Sequence, residues 1–64
     1  MSPSEETRKL RELEVDLERS FPAVPHDKVR SVVENEWMRY LHARVRDFVP
    51  LLVGRAARDQ LRSL

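Results

Sequence analysis

The sequence predicts an all-α domain, a three-helix bundle that associates as a homodimer. Apolar residues recur at three- and four-residue spacing along most of the chain, which is the period of a helix with one buried face. There is one glycine, no alternating apolar run and no Asn-Gly or Asp-Gly turn, so nothing favours strands. Two interruptions, "FPAVP" and "LHARVRD", divide the 64 residues into three segments of helical length, about 3–19, 25–41 and 45–62, within a single domain spanning 1–64. Self-association enters because so short a chain buries only roughly 60% of its unfolded surface. With no cysteine and only two histidines, His26 and His42, it can form neither a disulfide nor a four-ligand zinc site within one chain. Oligomerisation or very good helix packing is what remains to stabilise it.

The first helix opens at "SPSE". Ser2 suits the cap, Pro3 the first helical position, where a missing N–H is harmless, and Glu5 completes a capping box. Leu10, Leu13 and Leu17, continued by Phe21, form a narrow stripe, and Val15 lies off it. Pro22 and Pro25 then disfavour helical geometry at Phe21 and Val24 and turn the chain. "PAVP" also matches a PxxP ligand pattern, but two prolines between helices suit a corner better. Pro25 fits the first position of the second helix, and Asp27 suits its positive end.

The second helix places Val29, Val32, Val33, Trp37, Tyr40 and Leu41 on one broad face, with Glu36 in its middle and His26 at its start. A carboxylate there is either a general acid or base, which needs a second group and a cleft, or half of an ion pair. Pairing is the simpler solution, and Arg46 is the expected partner, able to meet Glu36 through two parallel hydrogen bonds within a chain or across a dimer. The third helix begins between Ala43 and Asp47, with Asp47 as a cap and Pro50 in the first turn. Val45, Phe48, Val49, Leu52, Val53, Ala56, Ala57, Leu61 and Leu64 spread over roughly 220° of its wheel, whereas one buried stripe needs little more than 100°. Phe21, Val33, Trp37, Phe48 and Leu52 are expected to share the core. Phe48, Leu51, Leu52, Val53, Ala57, Leu61 and Leu64 are the candidates for an interface with a second copy.

The 12 basic and 11 acidic side chains nearly cancel, but residues 42–64 hold five basic groups against two acidic ones. Arg44, Arg55, Arg58 and Arg62 gather within an arc of about 60° on the helix-3 wheel, with Leu51 among them. A three-helix unit with a basic third helix is the outline of a helix-turn-helix domain. The fit is poor, because "DFVPLLV" offers an acid, a proline and large apolar groups where base-reading residues belong. No phosphate loop, HExxH, CxxC or nucleophile elbow is present, so the sequence predicts no catalytic, cofactor or metal site. No run approaches the ~20 apolar residues of a membrane span, and "MSPSEETRK" lacks the apolar core of a signal peptide, so a cytoplasmic chain is expected.

"FPAVPHDKVRSVVENEW" followed by "ARVRDFVPLLVGRAARDQL" resembles the short three-helix bundle dimerisation domains of actinobacteria. They share an FPxVP-like corner, a V-x-x-VV helix and an R-x-FVP-x-LV-x-R-x-A-R signature. Similar segments precede the catalytic domain in some low-molecular-weight protein tyrosine phosphatase-like proteins and arsenate reductases. The resemblance covers about residues 8–62 and implies a self-associating helical module. It does not extend to phosphatase chemistry, since the Cys-containing phosphate loop is absent. Gly54 departs from the pattern, which often has a charged residue there. The expected function is thus a non-catalytic dimerisation module whose partner is a second copy. A small DNA-binding or regulatory protein, and a binding partner or detached N-terminal domain of a phosphatase-like enzyme, are the alternatives.

Overall fold

A computed structural model describes residues 3–64, with side chains from Ser4 onward. Three α-helices, α1 (Pro3–Ser20), α2 (His26–Arg39) and α3 (Val49–Arg62), pack against one another, and no strand occurs among the described residues. The Ser2 cap lies outside the described residues, and Pro3 is the first helical residue assigned. At the far end of α1 the Phe21 amide bonds to the Leu17 carbonyl at 2.9 Å, and a turn from Val24 to Phe21 at 3.0 Å carries the chain round the prolines. Pro25 does not open α2 as its first helical residue. It is extended (φ −57°, ψ 143°) and serves as the N-cap, its carbonyl accepting the amides of Lys28 and Val29. α1 and α2 run antiparallel: Trp37 meets Glu6 at one end and His26 meets Glu18 at the other.

Leu10, Leu17, Val29, Val32, Val33, Val49, Val53, Ala57 and Leu61 form the buried core. Leu13, Phe21, Val24, Trp37, Tyr40 and Ala43 pack around it, half-buried. The predicted stripes of α1 and α2 therefore meet as expected, with three departures. Leu41 is exposed because α2 stops at Arg39 and the chain turns through Tyr40 to Ala43. His26, expected on the apolar side of α2, is exposed beside Glu18. Phe48 and Leu52, predicted for the core, are both exposed.

For Phe48 the departure follows from where α3 begins. Its first residue is Val49, capped by Phe48 without a side-chain hydrogen bond, rather than one between Ala43 and Asp47. Pro50 explains the delay: it has no N–H to reach the Arg46 carbonyl, and its ring would clash with that group if the helix extended back to Arg46. The Val49 amide takes the Arg46 carbonyl instead, at 3.1 Å, and the Leu52 amide bonds to Phe48 at 2.9 Å. Asp47 falls two residues before the helix, so Phe48 rather than Asp47 holds the N-cap position. Within α3, Val49, Val53, Ala57 and Leu61 line the inner face, and Leu52 lies outside it.

Candidate interaction surface

Buried polar groups fix the frame on which the outer surface sits. Glu6 is only 7% exposed and lies on the same stripe of α1 as Leu10, Leu13 and Leu17. The Arg46 guanidinium donates to it twice, Nε to Oε1 at 3.1 Å and a terminal nitrogen to Oε2 at 2.9 Å. Trp37 Nε1 donates to the same carboxylate at 3.3 Å, and the other terminal nitrogen of Arg46 donates to the Tyr40 carbonyl. This one arginine ties the α2–α3 connector to both α1 and the end of α2. Within the chain the expected Glu36–Arg46 pair is therefore not formed. Glu36 is buried as predicted, at 3% exposure, but it accepts from the Gln60 side chain of α3 and from Arg39 at 3.3 Å. Arg46 is on the connector, not on α3, and the connector delivers it to the first turns of α1. Glu6 was legible in the sequence by the criterion that singles out Glu36, a carboxylate in the middle of an apolar stripe.

No buried side-chain polar atom among the described residues lacks a hydrogen-bond partner. Nor does any group of three His, Cys, Asp or Glu among them lie close enough to hold a metal. The unusual features are on the outside. Of the eight exposed large apolar side chains among the described residues, four lie within residues 45–52: Val45 at 65%, Phe48 at 62%, Leu51 at 69% and Leu52 at 42%. Exposed apolar residues on a small protein are usually scattered singly, and four within eight residues of chain depart from that pattern. Leu64 is also exposed, at the far end of α3. Val53, Ala57 and Leu61, proposed from the sequence as interface residues, belong to the core and are not available to a second copy. The roughly 220° arc thus divides into an inner face that the other two helices cover and an outer cluster around Phe48 and Leu52.

Beside that cluster, α1 and α3 leave an open groove of about 560 Å³. Leu13, Pro50, Leu51 and Gly54 form its apolar part, and Arg55, Arg58 and Arg62 its basic part, with Asp59 among them. Gly54 belongs there for steric reasons: a Cβ at this position would stand 3.0 Å from Leu13 Cδ1, so the helices approach most easily with none. Arg55, Arg58 and Arg62, three of the four arginines grouped on the sequence wheel, thus line one groove. Arg44 is not part of it, because it lies in the connector before α3 begins. No helix among the described residues is long and apolar enough to cross a membrane. Compared with known protein families, curated proteins and solved structures, the chain matches none of them.

Proposed function

We propose that this chain is a non-catalytic helical interaction module that self-associates through the outer side of α3's first turns, around Phe48 and Leu52. The observation that carries the reading is the set of exposed apolar side chains at Val45, Phe48 and Leu52 on a bundle whose core is already closed without them. Covering them with a second copy removes apolar area from water at roughly 25 cal/mol per Å². A two-fold arrangement lets one such patch serve as both halves of the interface. The resemblance to dimerisation domains supports the same reading, since the "RDFVPLLV" segment that carries it also carries Phe48 and Leu52. A cluster of this size suits a small interface and a weak dimer, one that dissociates on dilution.

An isologous interface places residues near the axis close to their own copies, which cross-linking detects. The chain has no cysteine, so a single Leu52→Cys substitution introduces a unique thiol. Under mild oxidation this variant is expected to form a disulfide-linked dimer much faster than Ser31→Cys, which is exposed on α2. Equal rates for the two variants would contradict the assignment.

A further inference from the structure

The groove between α1 and α3 is distinct from the Phe48–Leu52 patch, which a second copy would cover, and it has a chemistry of its own. Arg55, Arg58 and Arg62 recur at spacings of three and four residues, so they form one row along α3. None of the three has an ion-pair partner among the described residues. Like charges so placed on a helix repel one another, and a binder of opposite charge relieves that repulsion. The row stands beside apolar surface supplied by Leu13, Pro50, Leu51 and Gly54. Because Gly54 has no side chain and Leu13 lies against its backbone, the groove stays open between the two helices.

We propose that this groove docks an acidic amphipathic helix of a partner protein. From Pro50 to Arg62 the groove wall rises roughly 18 Å at 1.5 Å per residue, the length of about 12 helical residues. A helix laid along it presents apolar anchors at i, i+3 or i+4 and i+7 towards Leu13 and Leu51. The same period places carboxylates opposite the three arginines, whose spacing along the axis is about 4.5 Å and then about 6 Å. A nucleic-acid backbone has the charge for the row but no use for the apolar part. A lipid surface is met by a protruding apolar face, whereas here the apolar residues line a concavity.

The test is a selection from displayed 14-residue helical peptides, in which one face is randomised over Leu, Met and Phe and its flanks over Glu, Gln and Lys. It is made against the intact chain and against a variant carrying Arg55→Gln, Arg58→Gln and Arg62→Gln. Circular dichroism and thermal melting check that the variant keeps the wild-type fold, and the single Leu51→Glu variant provides a second block of the groove. Enriched peptides are expected to carry Glu at i, i+3 or i+4 and i+7 beside an apolar face. They should bind the triple variant about tenfold more weakly, the combined effect of three exposed ion pairs, and lose affinity in high salt. Leu51→Glu should also weaken them. No enrichment, enrichment of Lys-flanked peptides, or equal binding to the triple variant would overturn the proposal. So would tighter binding of a random DNA duplex or of anionic phospholipid vesicles than of any selected peptide. Loss of self-association in the triple variant with Phe48 and Leu52 intact would assign the groove to a second copy instead.

Discussion

Arg46 shows how one side chain can be assigned correctly in kind and wrongly in place. The sequence identifies it as the arginine that meets a buried carboxylate, and it does, but the carboxylate is Glu6 rather than Glu36. The choice depends on whether Arg46 belongs to α3 or to the connector, which a helical wheel assumes and cannot decide. A double-mutant cycle separates the two pairings. Glu6→Gln with Arg46→Met should show a coupling of about 1 kcal/mol or more, since charge-assisted hydrogen bonds contribute ~1.5–3 kcal/mol and Arg46 is partly exposed. The cycle of Glu36→Gln with Arg46→Met should stay within ~0.3–0.5 kcal/mol, the range of independent sites. The reverse order, measured by urea denaturation, would place Arg46 on the other carboxylate. Glu36 instead joins α2 to α3 through Gln60, a neutral partner that a search for opposite charges passes over.

The three helices, the corner at Phe21–Pro25 and the inner faces of α1 and α2 were legible because each rests on local signals: spacing of leucines and valines, and proline placement. The start of α3 was less so. Pro50 is compatible with a helix that begins just before it and with one that begins earlier and kinks. Only the fate of the Arg46 carbonyl, taken by the Val49 amide, distinguishes them. Nor does the period say which neighbours in so broad an arc face inward: Val53 is buried and Leu52 is exposed. Leu17→Ala should therefore cost on the order of 2–5 kcal/mol, because it leaves a cavity beneath all the packed residues around it. Leu52→Ala should cost less than about 1 kcal/mol at protein concentrations low enough for the monomer to dominate. A loss from Leu52→Ala as large as that from Leu17→Ala under those conditions would return Leu52 to the core. Gly54 is a second case at this scale. Gly54→Ala gains up to about 1 kcal/mol of helix propensity, and the Leu13 methyl at 3.0 Å must give way, which a half-buried side-chain end can do by moving into the groove. A modest rise in melting temperature is expected, and a fall would show that Leu13 is held in place.

For the whole molecule, the sequence ascribed the breadth of α3's apolar arc to a partner, and the structure divides that breadth in two. Val49, Val53, Ala57 and Leu61 satisfy α1 and α2, which leaves Phe48 and Leu52 with Val45 as the surplus. Interface and core are not separable from periodicity alone, since both ask for apolar residues at helical spacing. Burial against the other two helices separates them. The surplus is what makes self-association the central claim, and it should couple stability to concentration. The most direct test is the light-scattering mass of the intact chain over a dilution series from about 1 µM to about 500 µM, beside a Phe48→Glu, Leu52→Glu variant. The expected result is a mass that climbs from one 7.6 kDa chain towards two as concentration rises, and a variant that stays at one throughout while keeping its helical content. A wild-type mass that remains at one chain across the series, or a variant that dimerises equally well, would contradict it.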